Sequence, residues 1–357
     1  MNLKIYSTTR DRSVQDIAVV ILNWNGIHYL EQFLPSVVEH SSKHATVWVV
    51  DNGSTDDSIS YLQQHWPQVK VHDNKFNHGF AKGYNEGLKH IRADIYVLLN
   101  SDVEVTPNWI PPVVAFMENE DMTACQPKIR DFHRKEWFEH AGATGGFIDK
   151  DGYVFCAGRI FDGFEKDEQQ YDENKEVFWA SGASLFVKAA AYHEVGGLDE
   201  DFFAHMEEID LCWRLKNKGM KVGACGGSHV FHVGGGTLNK LNPFKTYLNF
   251  RNNLFILIKN YNSGPLIPLF TRRLILDGVA AMRFLTEGKL SYTWAVLKAH
   301  LAFYAAVPKM MKKRKSIMNQ TSNPNRSGWY KQSILKMYFF KGKRTFKELD
   351  PKNFLRS

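Results

Sequence analysis

The 357-residue chain predicts an α/β fold, a mostly parallel sheet flanked by helices with a helical C-terminal extension. Three observations predict it. Short β-branched apolar runs recur at residues 17–22, 47–50, 69–71 and 95–99, separated by segments of helical period. Two acidic residues, Asp51 and Asp102, stand where such runs stop. Beyond about residue 243 the alternation gives way to long stretches rich in large apolar side chains.

Taken in order, Ile17 to Leu22 reads as a strand buried on both faces, closed by the turn Asn23-Trp24-Asn25-Gly26. Tyr29, Phe33, Leu34, Val37 and Val38 then recur at helical spacing. Val47 to Val50 is a second strand, ended by Asp51-Asn52-Gly53-Ser54. Thr55 to Ser58 supplies N-cap residues for a helix through Ile59 and Leu62. Val69 to Val71 is a third strand, Gly79 to Ile91 a glycine-rich helix entry, and Ile95 to Leu99 a fourth strand. In open sheets of this kind ligands sit beyond the carboxyl ends of the strands, which is where Asp51 and Asp102 fall. From about residue 125 to 190 the segments shorten, and Phe178 to Val187 reads as one strand broken at Gly182. Ile209 to Leu215 is helical and stops at Gly219.

Three regions are expected: 1–245 as the main domain, 246–308 as a helical extension, and 309–357 as a basic tail. Tyr247 to Ile258, Leu266 to Leu285 and Tyr292 to Val307 read as helices. Arg272, Arg273 and Asp277 interrupt the second and Lys298 and His300 the third, so neither holds the roughly 20 apolar residues of a membrane span. The net charge of +7 is concentrated at the end, where residues 309–357 hold 14 Lys and Arg against 2 acids. Two readings stay open: an interfacial anchor on an anionic membrane, or helices packed on the main domain with a solvated tail.

With 44% hydrophobic and 23% charged residues the composition is that of a globular protein. The four cysteines have no CxxC spacing, against a zinc site or disulfide framework. Residues 1–16 have no apolar signal region. A cytoplasmic protein is expected, with a peripheral position on the inner face of the membrane as the companion of the anchor reading. No nucleic acid is expected as a partner, since no reading motif accompanies the basic tail. No GxGxxG follows the first strand, against a dinucleotide-dependent oxidoreductase.

Chemistry concentrates in Asp102, in Glu207-Glu208-Ile209-Asp210, and in His229 and His232 ahead of Gly234-Gly235-Gly236. A hard cation on carboxylates neutralises a departing diphosphate. Asp102 is the natural ligand, joined by His232 or His229. A carboxylate in a crowded acid cluster has its pKa raised and suits proton abstraction from a hydroxyl. The same cluster also fits a helix N-terminus stabilised by acids, and Asp210 is expected to be its more structural member.

Together these segments make residues 17 to about 255 resemble the inverting family 2 glycosyltransferases with a GT-A fold, a Rossmann-like sheet, in the rhamnosyltransferase-like branch. The resemblance rests on Val20–Asn25, Val49–Ser58, Asn77–Gly87, Leu98–Val103, Trp179–Phe186 and Gly196–Arg214. It implies that Asp51 contacts the nucleotide base with Asn23 and Asn25 beside it. Gly79, Phe80, Ala81, Gly83 and Asn85 would line the ribose and diphosphate, and Asn100, Ser101 and Asp102 would stand for the DxD motif. Asp102 and His232 would hold Mg²⁺ or Mn²⁺, Glu208 would be the catalytic base, and Trp179, Gly182 and Glu207 would border the acceptor.

The implied partners are a dTDP-, UDP- or GDP-linked sugar donor and a glycan or lipid-linked acceptor, in bacterial surface polysaccharide or cell-wall assembly. Two departures stand out: Asn100 replaces the first DxD carboxylate, and Glu208 stands where the family often has Asp. A non-catalytic glycan-binding protein would have lost the acids that are present here. A sugar nucleotidyltransferase would want a basic glycine-rich loop where Asn23 to Gly26 stand.

Overall fold

The computed structural model describes residues 15–139, 143–234 and 242–356. Residues 1–14, and Gly235 and Gly236 of the glycine run, lie outside them. The first half alternates β1 (Ile17–Asn23), α1 (Ile27–Ser41), β2 (Thr46–Asp51), α2 (Ser58–His65), β3 (Lys70–Asp73), α3 (Phe80–Leu88) and β4 (Ile95–Leu99). There follow β5 (Val103–Val105), α4 (Ile110–Asn119), β6 (Met122–Asp131), β7 (Gly146–Asp149), β8 (Val154–Cys156), β9 (Arg159–Ile160), β10 (Gly163–Phe164) and β11 (Lys175–Glu176). The rest comprises β12 (Ser184–Lys188), α5 (Ala189–Glu194), α6 (Glu207–Asn217), β13 (Lys221–His232), α7 (Pro243–Asn260), α8 (Leu266–Thr286), α9 (Leu290–Gln320) and β14 (Trp329–Tyr330).

The main sheet runs β11-β13-β6-β12-β4-β1-β2-β3, with β5 paired to β13. β4, β1, β2 and β3 are mutually parallel, as the helical crossovers between them require. β12 enters antiparallel between β4 and β6. The continuous apolar runs now have a cause. Val20 and Leu98 face one buried layer while Val19, Ile21, Val97 and Leu99 face the other, so alternate residues serve two cores.

Two expectations change. The strand expected over 178–187 is only Ser184–Lys188. Its first half spends its backbone N–H groups elsewhere: Val177 on Val222, Phe178 on Gly146, and Ser181 on the Gln126 side chain. The boundary expected at 308/309 falls inside α9, which continues through the basic run because Lys, Arg and Met are good helix formers. After Gln320 the chain folds back rather than trailing into solvent. Trp329–Tyr330 pairs in parallel with β7, in a second sheet ordered β10-β9-β8-β7-β14. Asn325 donates to Glu176 Oε1 at 2.6 Å, and Phe147 is packed by a tilted Phe346 ring and an edge-on Phe354 ring.

Candidate active site

At the carboxyl end of β1 and β2 the polar residues mainly hold one another. Asn23 Nδ2 donates to Asp51 Oδ2 at 3.0 Å, and the Ser54 N–H donates to Asp51 Oδ1 at 2.8 Å. Asp51 is fully buried, so its carboxylate braces this loop from behind. Asn25 Oδ1 accepts from the Thr55 N–H at 2.7 Å and is exposed above it. Asn52 then links β2 to α3, donating to Asn77 Oδ1 and to the Gly79 carbonyl.

Gly79 opens α3 at φ 76°, a conformation that favours glycine. A Cβ on Gly83 would lie 3.0 Å from the Asn52 amide, so the close approach of α3 to β2 keeps that position small. Phe80 is half-buried against Tyr84. Two residues expected along the ribose and diphosphate are engaged within the fold. Ala81 is buried in the core, and the Asn85 amide is used up on Leu198 and the Tyr192 hydroxyl.

Beyond β4, the Asn100 N–H donates to the Ala183 carbonyl at 3.1 Å, Ser101 is half-buried in the turn, and Asp102 is buried. His232, the last residue of β13, sets Nε2 3.2 Å from Asp102 Oδ1 and Nδ1 3.3 Å from Glu139 Oε2. Burial alone would lower the His232 pKa, but the Asp102 and Glu139 carboxylates on its two nitrogens raise it to about 10. The two carboxylates outnumber the one imidazole, so the group keeps formal negative charge to offer a cation. Gly234, at φ 69°, leaves the space Glu139 occupies, since a Cβ there would lie 2.3 Å from Glu139 Oε1. His229 is not part of this group. It lies beside Lys128 and Arg130, and burial together with those cations lowers its pKa to about 4.

The donor set suits a divalent cation. A carboxylate and an imidazole nitrogen meet at one point, and the buried Asn100 Oδ1 beside them has no hydrogen-bond partner among the described residues. Among those residues no three His, Cys, Asp or Glu side chains form a complete cage. The protein would thus offer Asp102 and His232 and leave the remaining positions to phosphate oxygens and water.

The acid cluster opens α6, with Glu207 and Glu208 in its first turn. Asp210 is structural: it accepts from Arg214 at 2.8 Å and from Lys259 and Asn260 at 2.7 Å each. Glu207 is buried, its Oε2 has no partner among the described residues, and burial with Glu208 and Asp210 nearby pushes its pKa well up. Glu208 is half-buried, and desolvation raises it to about 7 against the backbone N–H groups at the helix start.

The loop before it is strained, with Phe203, His205 and Met206 all at positive φ. Asn252 of α7 holds that loop by donating to the carbonyls of Phe202, Ala204 and His205. Gly182 lies against Glu208, since a Cβ there would be 3.7 Å from Glu208 Cδ. Gly182 precedes Ala183, whose carbonyl accepts from the Asn100 N–H, so a short stretch of backbone links the surroundings of Glu208 to the turn that carries Asp102. Trp179 faces the interior. It is buried, its indole donates to the Phe147 carbonyl at 3.0 Å, and its ring covers Gly146.

Sequence reading missed Glu139 and Asn252. Neither stands in a periodic or motif context, and both act on residues far away in the chain.

Comparisons with known proteins bear on the family and the fold. Residues 18–194 match the model of glycosyl transferase family 2. The chain is 23% identical over 288 residues to the low-salt glycan biosynthesis hexosyltransferase Agl10 of Haloferax volcanii, covering 78% of this chain and 88% of that protein. It is 26% identical over 236 residues to an N-acetylglucosaminyl-diphospho-decaprenol L-rhamnosyltransferase of Mycobacterium tuberculosis, covering 57% of this chain and 71% of that one.

Among solved structures, the mannosyltransferase PcManGT of Pyrobaculum calidifontis, in complex with GDP-Man and Mn²⁺, superposes with a TM-score of 0.51 at 13% identity. That match covers 87% of this chain and 86% of the other. GalNAc-T7 with UDP, GalNAc and Mn²⁺ gives a TM-score of 0.53 at 19% identity, over 70% of this chain and 48% of that one, so this chain spans about half its length. On fold, motifs and matched family together, the chain belongs to glycosyltransferase family 2 and is an enzyme of that family.

Proposed function

We propose that this glycosyltransferase is inverting and divalent-metal-dependent, and that it moves a hexose from a nucleotide-sugar donor to a hydroxyl of a lipid-linked glycan. Glu208 takes the proton of the acceptor hydroxyl, whose oxygen then attacks C1 from the face opposite the diphosphate. Asp102 and His232 would hold the cation, which when bound would supply positive charge for the diphosphate leaving group. Asn100 and the glycines around Gly79 border the donor, and Gly182 leaves open the space in front of Glu208 for the acceptor. The single observation that supports the reading is the link Glu208–Gly182–Ala183–Asn100, which ties the neighbourhood of a raised-pKa carboxylate to the turn bearing Asp102, itself paired with His232.

Two of these proteins support the finer points. The mycobacterial relative is named for a diphospho-decaprenol acceptor, and the PcManGT structure holds Mn²⁺ with its sugar nucleotide. Calorimetry with UDP, GDP and dTDP, with and without Mn²⁺, tests the donor side. One nucleotide should bind at least about tenfold more tightly with Mn²⁺, and Asp102→Ala should abolish that difference. Equal binding with and without the metal, in both proteins, would refute the metal assignment.

A further inference from the structure

We propose that the outer faces of α8 and α9 form a docking surface for an anionic lipid bilayer. Among the described residues, the large hydrophobic side chains left exposed are concentrated on this hairpin, Met311 toward the end of α9 included, and on Phe339 and Phe340 after it; elsewhere only Trp24, Phe76, Phe203 and Phe244 are exposed. On α8 they are Ile267, Leu274, Ile275, Val279, Met282 and Leu285, with Ile267 82% and Val279 63% exposed. On α9 they are Leu290, Trp294, Leu297, Leu301 and Tyr304, in steps of four, three, four and three residues.

Both sets are helical stripes, and each lies opposite its helix's buried side, which is Leu269, Arg273, Asp277 and Ala281 on α8. A water-facing helix would carry charge there. The α8 stripe carries none, and Arg272 and Arg283 stand only at its edges. The surface also opens into an apolar groove of about 400 Å³ between α7, α8 and α9, floored by Leu254, Ile258, Phe270 and Phe303. Exposed apolar surface of this extent marks an interaction site.

Charge decides the occupant. Exposed cations border the stripes: Arg272, Arg283, Lys289 and Lys298 on the hairpin, and Lys312 and Lys315 where the α9 stripe turns basic. From residue 262 to 320 the acids are Asp277 and Glu287. Asp277 is buried against Arg273 and His300, and Glu287 is paired with Arg283 and Lys289. A second copy of this chain meeting the face across a two-fold axis would offer no acid to answer those cations. A bilayer with anionic headgroups answers both parts, the apolar stripe entering the acyl boundary and the cations meeting headgroups. No helix among the described residues is long and apolar enough to cross a membrane, so the hairpin would lie along the surface.

The inference deepens the proposed lipid-linked acceptor and rests on that reading only for its purpose. Flotation of the full chain with phosphatidylcholine vesicles, with and without about one third phosphatidylglycerol, tests it. Binding should require the anionic lipid and weaken with salt. Trp294→Ser with Leu297→Ser, and separately Ile275→Ser with Val279→Ser, should each lower it about tenfold or more. Lys312→Glu with Lys315→Glu should remove the preference for anionic lipid. Circular dichroism melting and hydrolysis of the soluble donor, both unchanged, would show that the variants are folded and that the catalytic site is separate. Absence of flotation on either vesicle, or serine variants that float like the parent, would overturn the proposal. So would a concentration-dependent dimer, seen by sedimentation without vesicle binding and dissolved by the same serine substitutions. Loss of donor hydrolysis with flotation intact would count against the proposed function alone.

Discussion

Two acid groups carry the candidate chemistry, and they manage their charge in opposite ways. On the cation side Asp102 and Glu139 flank His232 and raise its pKa. On the base side Glu207 and Glu208 share a helix start with no ion-pair partner among the described residues, and burial drives both upward. One group is a cradle whose two carboxylates draw positive charge to the ring between them. The other keeps a carboxylate ready to accept a proton. Two positions along α6, Asp210 shows the alternative fate of an acid: Lys259 and Arg214 hold it well down despite its burial. Neighbours, rather than residue type, divide the three acids between chemistry and architecture.

Four measurements would break or sharpen this contrast. The largest effect belongs to Glu208→Gln, which should lower kcat about a thousandfold in steady-state transfer assays, whereas Glu207→Gln should cost less than about tenfold. Next, Asp210→Asn should cost about 3 kcal/mol in urea melts by leaving Lys259 and Arg214 without their shared carboxylate, with kcat per folded molecule little changed. Third, Glu139→Gln should weaken Mn²⁺ binding about 10- to 100-fold in calorimetry, because it orients the His232 ring through Nδ1.

The smallest and most diagnostic effect is the pH response. Glu208 works ionised and its pKa is raised to about 7, so kcat should fall about tenfold per unit below pH 7 and level off above it. The same raised pKa favours the protonated carboxyl in the folded state. The stability it contributes is present below its unfolded value and is lost as pH rises through about 7. The parent's Tm should therefore drop more between pH 5 and 8 than that of Glu208→Gln.

Much of this was legible in the amino-acid order. The strands β1, β2 and β4 announce themselves because burial on both faces removes polar residues from them. Their ends were therefore readable, and Asp102 with them. The acid run at Glu207 was equally plain, and Gly182 and Glu208 do meet. The small second sheet was not legible, because strands of two to four residues such as Arg159–Ile160 show no period. Asn252 lies in the middle of an apolar helix, and its use depends on a loop about 50 residues earlier. Asp51, Asn85 and Trp179 carry the right chemical groups, yet partners in the fold occupy them. A side chain's donors and acceptors can be read from sequence, but whether they are already taken depends on contacts across the chain. The charge run after residue 309 misled for a different reason: lysines that extend a helix also pair, as Lys313 does with Asp199 at 2.5 Å.

That pairing bears on how the enzyme could be shortened. Lys259 from α7 and Lys313 from α9 both neutralise the buried Asp199, and Lys259 also serves Asp210 beneath the base helix. The residues matched by the family, 18–194, contain neither lysine. A fragment cut at residue 245 would strip Asp199 of both lysines, leave Asp210 with Arg214 alone as counter-ion, and remove Asn252 from the strained bend ahead of Glu208. The helical region is a keystone of the catalytic half, and any minimal version of this enzyme has to retain it.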